Sequence, residues 1–264
     1  MSFTDSLKSL VPAPARRQIK QWLGIQPGLD PDWRILAPAG PVKGPHVVMD
    51  VGAYRGYFIH SWRKWCPEAE VHAFDPSLEA YTQLQQKYAG QPWLHLNNVG
   101  VSDAPGTLEL NIATSARSCN SFLAPKRETW QEVQYQSGEM QKRSVPVITL
   151  DQYVEEKQLR AIHLIKIDVQ GFELNVLKGA SKVALPRIGY IFVESGIRPF
   201  YEGAPRFSDV FNYVTGQGFH LIGMRSWHRG NHTLMEADLL FRRDDLMPAI
   251  NPPPGVDKIV EHVG

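Results

Sequence analysis

The sequence predicts an α/β protein whose core is an open, mostly parallel sheet with helices against its faces. From residue 46 onward, short apolar runs of strand length alternate with amphipathic stretches of helical period. The connections between them are short, as in strand–helix–strand units. Carboxylates stand at the ends of several of the apolar runs, which is where open parallel sheets bind their ligands.

The elements follow in order. "HVVMDV" is an apolar run suited to a strand covered on both faces. "GYFIHSWRKW" reads as a helix with Phe58, Trp62 and Trp65 on one face, stopped by Pro67. "AEVHAFD" is a second strand, and "PSLEAYTQLQQKY" a second helix with Ser77 as its cap and Leu78, Tyr81, Leu84 and Tyr88 as its apolar stripe. "WLHLNNVGV" is a third strand.

The rhythm then breaks: "GTLELNI" and "SVPVITL" are strand-like and flank a polar stretch, residues 113–143, read as an insertion beside the ligand site. Alternation resumes with helix "LDQYVEEKQL", strand "IHLIKIDV", helix "GFELNVLKGA" and strand "YIFVES". The tail supplies a helix near "FSDVFNYVTGQG" and strands "FHLIGMR" and "EADLLFRR", with "SWHRGNHTLM" expected as the loop between them.

The Pro- and Gly-rich lead-in "PGLDPDWRILAPAGPVKGP" separates an arm or helix in residues 1–45 from a domain over 46–264. In that arm Ile19, Trp22 and Leu23 can share a face with Arg16 and Lys20 nearby. This fits a helix packed on the domain, with weak membrane association as the alternative.

Over 264 residues, 28 basic side chains balance 27 acidic ones, so composition offers no argument for nucleic acid or an anionic membrane as partner. Cys66 and Cys119 lack metal-type or disulfide-framework spacing. With no signal-like segment and no window near the ~20 apolar residues of a membrane span, the expectation is a cytoplasmic protein.

Acids close the strands at Asp50, Asp75, Asp168 and Glu194, and Asp103 closes a further segment. Burying so many unpaired carboxylates for packing alone is costly, so the edge is read as a polar-ligand site. Its turn is Gly52-Ala53-Tyr54-Arg55-Gly56. A dinucleotide turn needs a glycine where Tyr54 stands so that backbone can approach the pyrophosphate, and no Gly-Lys-Ser/Thr follows. The ligand therefore carries no phosphate at this turn. S-adenosylmethionine meets that description: the turn and the following helix can donate to its carboxylate, and Asp75 can accept from its ribose hydroxyls.

In combination, "MDVGAYRGYF", "VHAFDPS", "NNVGVSDAPGTLEL", "TLDQYVEE", "IHLIKIDVQGFELNVLKGA" and "IFVES" resemble the FkbM-type methyltransferases in order and approximate spacing, from about Val47 to Glu194. The resemblance implies the class I, Rossmann-like fold with a seven-stranded, mostly parallel sheet and an antiparallel last strand. It implies S-adenosylmethionine-dependent O-methyl transfer to hydroxyls of sugars, glycans or small natural products. Carried over, Asp50, Gly52 and Gly56 form the cofactor turn, in which Tyr54 also stands as a cofactor-contact candidate, Asp75 holds the ribose with Ser77 nearby, Ser102 and Asp103 lie near adenine, and Asp168 faces the transfer site. Two positions depart from the family: Tyr54, where Asn or His is frequent, and Gln170, where Glu is common.

An alcohol is a weak nucleophile, so a general base is expected, and Asp168 and Glu194 on neighbouring strands are the candidates. Lys166, two residues before Asp168 on the same strand face, is read as a structural partner of a carboxylate. Asn120 in "RSCNSFL", with His228 and His232 in the terminal loop, are candidates for substrate contact, as are the ring-stacking residues Trp130, Tyr135 and Trp227. A divalent metal is conceivable on Asp168 and Glu194, but no third ligand is evident and none is assigned. Two alternatives stay open: a non-catalytic S-adenosylmethionine-binding protein of a biosynthetic cluster, and an NAD-dependent dehydrogenase.

Overall fold

Strand β1 (Val47–Val51) is buried from Val48 onward, and a run buried on both faces belongs in the middle of a sheet. It pairs in parallel with β2 (Glu70–Phe74) on one side and β7 (Ile162–Ile167) on the other. The structure, a computed structural model, describes residues 46–115, 117–132, 139–229 and 233–246, with side chains for all of these but 64, 65, 117, 132, 225–229 and 233. The expected N-terminal arm, together with Tyr135 and His232, lies outside the described residues, as do the side chains of Trp227 and His228.

Helix α1 (Tyr57–Trp65) follows β1 and stacks Phe58 on Trp62, both buried, with ring centroids 6.0 Å apart. Helix α2 (Leu78–Lys87) is capped as expected, the Ser77 hydroxyl accepting from the Ala80 N–H at 3.4 Å. Of the expected stripe, Leu84 is buried and Tyr81 and Tyr88 are half-buried, and Leu78 alone departs from it. Ala80 and Leu84 are buried, whereas Leu78 is 52% exposed. At the sheet edge the Ser77 N–H donates to Asp75 Oδ1 at 2.9 Å, just before the first turn.

The single third strand expected from "WLHLNNVGV" is two. β3 (Leu94–Asn97) pairs with β2, while β4 (Gly100–Val101) belongs to another sheet. Two side-chain amides divide them. Asn97 Nδ2 donates to the Ala73 and His95 carbonyls and Asn98 Nδ2 to the Asp75 carbonyl. Such bonds compete with ladder pairing and turn the chain out of the sheet.

The strands flanking the insertion, β5 (Gly106–Ala113) and β6 (Met140–Ile148), form an antiparallel pair, and with β4 they make a separate three-stranded sheet. Within the insertion a 3-10 turn (Arg117–Cys119) and helix α3 (Arg127–Glu132) give more regular structure than the polar sequence suggests. This segment has its own apolar cluster of Ala113, Cys119, Trp130, Phe200, Tyr201 and Met235. Trp130 is therefore a buried packing residue, edge-on to Tyr201 with centroids 6.0 Å apart.

Helices α4 (Leu150–Glu156) and α5 (Glu173–Lys178) bracket β7, and α6 (Phe207–Gly216) follows β8 (Ile188–Gly196). The last two strands, β9 (His220–Arg229) and β10 (Thr233–Arg242), extend into the segment expected as a loop, so His228 stands in a strand opposite Leu234. The main sheet has the order β3-β2-β1-β7-β8-β10-β9. All pairs are parallel except those of β10, which runs antiparallel between β8 and β9. This is the seven-stranded sheet with an antiparallel last strand that was expected. Its order reverses between β1 and β7, which opens a crevice at their carboxyl ends. Among the described residues no helix is long and apolar enough to cross a membrane.

Candidate active site

The crevice begins with an ion-pair hub. Asp50 and Lys166 are direct register partners on β1 and β7, and Lys166 Nζ lies 3.3 Å from Asp50 Oδ1, 3.4 Å from Asp168 Oδ2 and 2.8 Å from the Gly52 carbonyl. Burial works against the charge on Lys166, but Asp168 and Asp50 outweigh it and hold its pKa above the usual lysine value. Burial conversely pushes Asp50 up, with Lys166 opposing. The structural role expected for Lys166 matches this geometry: its ammonium ties the ends of the two central strands to the glycine turn.

That turn approaches β7 closely. A Cβ at Gly52, where φ is +85°, would sit 1.8 Å from the Asp168 carbonyl oxygen, so only glycine fits. The Gly52 and Ala53 N–H groups both donate to the Phe74 carbonyl, and Gly56 caps α1 in a left-handed conformation. Tyr54 is left-handed too, with φ +45°, which is uncommon outside glycine. In that conformation its N–H donates to Asp75 Oδ2 at 2.8 Å.

Asp75 thus accepts one backbone N–H on each oxygen, from Tyr54 and from Ser77. A carboxylate has about four acceptor positions, so one remains on each oxygen. Burial pushes its pKa up to about 6 against the pull of these two donors. Asn98, which the sequence did not single out, braces this residue from the end of β3 through the Asp75 carbonyl.

On the other side of the crevice Asp168 and Glu194, at the ends of β7 and β8, are joined by Gln170. Its Nε2 donates to Asp168 Oδ1 at 2.9 Å and to Glu194 Oε2 at 3.0 Å, while its Oε1 accepts from the Tyr201 hydroxyl at 2.9 Å. The Gln170 backbone is left-handed, φ +58°, and its carbonyl accepts from the Ser121 hydroxyl of the insertion at 2.7 Å. An amide at this position does what a carboxylate cannot: it donates to both acids at once.

Burial, then repulsion from Asp168, Glu236 and Asp238, raises the Glu194 pKa well above the ordinary glutamate value. Glu173, 3% exposed, lines the same cleft and accepts from the Val169 and Gly171 N–H groups at 3.1 and 3.0 Å. Burial pushes it up to about 7. Gln170, Glu173, Tyr201 and Glu236 were not picked out as site residues from the sequence. The "DVQGFE" segment carried the first two in plain view, but nothing there shows that its turn points into the crevice.

The remaining candidates fall in two places. Asn120 lines a small cleft with Tyr54, Arg55 and Ser77, beside the glycine turn, and its Oδ1 accepts from the Ala113 N–H. Ser102 donates to Asp103 at 3.0 Å, and the Ser102 N–H to the Ile148 carbonyl. Burial opposes ionisation of Asp103, but side-chain bonds from Ser102 and Asn175 of α5 hold its pKa below the usual value. The contacts described for this pair thus run to β6 and α5.

Comparison with known proteins places this arrangement. The model of the FkbM methyltransferase domain matches residues 50–221, which contain every acid of the crevice up to Glu194. The chain is 26% identical over 212 residues to the 2-O-methyltransferase NoeI of Sinorhizobium fredii, covering 77% of this chain and 82% of that protein. It is 28% identical over 181 residues to the methyltransferase sdnD of Sordaria araneosa (59% and 70%), and 25% identical over 199 residues to the 31-O-demethyl-FK506 methyltransferase FkbM of Streptomyces tacrolimicus (67% and 73%). A domain match over well more than half of the chain, spanning the β1 turn and the Asp168–Glu194 pair, assigns the protein: it belongs to the FkbM family of methyltransferases.

Proposed function

We propose that the chain is an S-adenosylmethionine-dependent O-methyltransferase acting on a hydroxyl of a sugar, glycan or small natural product. The observation that carries this is the Gln170 clamp, which sets two acids of different character side by side at the sheet's switch point. Asp168 lies 3.4 Å from the Lys166 ammonium and is assigned to the cationic methionine end of the cofactor. Glu194 is held at a raised pKa, which suits a base that takes a proton from the attacking hydroxyl. Asp75 binds the ribose through the two acceptor positions left free. Tyr54 fills the space a pyrophosphate would need, so the pocket favours this cofactor over a dinucleotide.

When bound, S-adenosylmethionine would supply an electrophilic methyl on its sulfonium, and Glu194 would take the proton of the acceptor hydroxyl as that oxygen replaces sulfur on the methyl carbon. Two relatives support the acceptor class by name, one a 2-O-methyltransferase and one a methyltransferase of a 31-O-demethyl compound. Incubating the protein with methyl-labelled S-adenosylmethionine and an extract of its native host, then identifying the labelled product, tests the reading. An O-methyl product supports it; label on nitrogen or carbon overturns the acceptor class.

Cofactor placement has its own test. Asp75→Ala is expected to weaken S-adenosylhomocysteine binding at least about tenfold, the loss for charge-assisted hydrogen bonds. Asp75→Asn, which keeps one acceptor oxygen, should fall between the two. Unchanged calorimetric affinity in both variants would remove Asp75 from the ribose site.

A further inference from the structure

At the opposite end of β2 from Asp75, three side chains with metal-ligand chemistry converge on one face of the sheet. Glu70 and His72 are two residues apart on β2, hence on one face, and His95 is the direct register partner of His72 on β3. Glu70 Oε1 lies 3.2 Å from His72 Nε2 and 2.9 Å from His95 Nε2, and the three ligand atoms all fall within 4.8 Å of one another. In a tetrahedral zinc site with bonds of about 2.0–2.2 Å, ligand atoms sit roughly 3.3–3.6 Å apart. The trio is therefore within a few tenths of an ångström of that spacing on two of its edges.

Two further observations point to an ion. His72 is 1% exposed, and its Nε2 has no aligned hydrogen-bond partner despite the nearby Glu70 oxygen. The other ring nitrogen, Nδ1, is 2.8 Å from the Tyr153 hydroxyl of α4, which in turn accepts from Asn97 Nδ2 at 3.2 Å. A buried ring held through one nitrogen by an outer hydrogen-bond relay, with the other nitrogen facing a carboxylate oxygen, is the way proteins orient metal-binding histidines. His95 and Glu70 are more open, with side chains 41% and 36% exposed, so an ion can enter and a water can complete the shell. The His72 and His95 rings now stack with centroids 4.5 Å apart and planes 16° apart. Closing on an ion requires the exposed His95 ring to turn its Nε2 lone pair toward His72.

We propose that Glu70, His72 and His95 form a site for one divalent transition-metal ion of the zinc class, outside the methyl-transfer crevice, which fastens edge strand β3 to β2 and α4. Two imidazoles and one carboxylate suit zinc, nickel or copper and are poor ligands for magnesium or calcium. Glu70 begins β2 and Asp75 follows its end, so the two sites lie on the order of 15 Å apart at the usual rise per residue. The ion is thus assigned a structural role.

The test is titration of chelator-stripped, full-length protein with zinc chloride, read by calorimetry, together with cobalt(II) read by its visible absorption. The expected result is one ion per chain, a tetrahedral cobalt band, and a melting temperature raised by roughly 5–10 °C when zinc is about a hundredfold above its dissociation constant. His95→Ala and Glu70→Gln change partly exposed side chains and should keep the fold. Each should lower zinc affinity at least about tenfold and abolish the cobalt band, while S-adenosylhomocysteine affinity stays at the wild-type value. No stoichiometric binding by the wild type would overturn the proposal. So would binding that persists in both variants, since the ion would then sit on other histidines.

Discussion

Glu194→Gln is expected to lower turnover about 10²-fold or more while leaving S-adenosylmethionine affinity near the wild-type value. Glutamine preserves the size of the side chain and an oxygen that can still accept from Gln170 Nε2, so the clamp to Asp168 survives. What is lost is the capacity to take a proton. The wild-type rate should also rise with pH, since the base acts only when ionised and burial with four neighbouring acids raises its pKa. That rise should vanish in the variant. Asp168→Asn should act differently. Removing the anion that shares Lys166 with Asp50 weakens the grip on the cofactor's cationic end and appears first as lost affinity. Turnover of labelled cofactor and calorimetry separate the two roles. Near-normal values of both quantities in both variants would move the proton acceptor elsewhere in the crevice.

Glu173→Gln is expected to stabilise the protein above neutral pH by about 3 kcal/mol. The folded-state pKa of Glu173 is pushed up to about 7 from an ordinary 4.5. Between those values the folded chain keeps a proton that the unfolded chain has shed. Stability therefore falls as pH rises through this window, at up to about 1.4 kcal/mol per pH unit, and the full penalty is present above it. Glutamine cannot ionise, yet its oxygen can still accept from the Val169 and Gly171 N–H groups. The advantage of the variant in urea denaturation should be near zero around pH 4.5 and grow until about pH 7. A constant difference across that range would show that the carboxyl carries no desolvation penalty. A residue that destabilises the fold beside the crevice is the usual trade of stability for a polar site.

The order of the elements was readable because it rests on local patterns. β1, β2, β7 and β8 are apolar runs long enough for a buried strand, and the helix cap at Ser77 occupies the expected place with a bond to Ala80. The positions of Asp50, Asp75, Asp168 and Glu194 at strand ends follow from the same runs. Their convergence in one crevice depends on parallel pairing and on the order reversal between β1 and β7. The sequence motifs carried the family as well, through the turn at Gly52 and the "IDVQGFE" segment.

Tertiary structure decided whatever depends on residues far apart in the chain. The split of the third strand was set by the Asn97 amide on the Ala73 carbonyl and the Asn98 amide on the Asp75 carbonyl. Hydrophobic periodicity contains neither contact. The Gln170 clamp joins residues 168, 170, 194 and 201, and its backbone is held by Ser121 from the insertion. A glutamine in a polar turn gives no local sign of such partners. The metal-ligating trio likewise depends on the register that sets His95 beside His72, a pairing no sequence period encodes. Local chemistry thus determined which side chains lie at the ends of which strands, and long-range packing determined which of them meet.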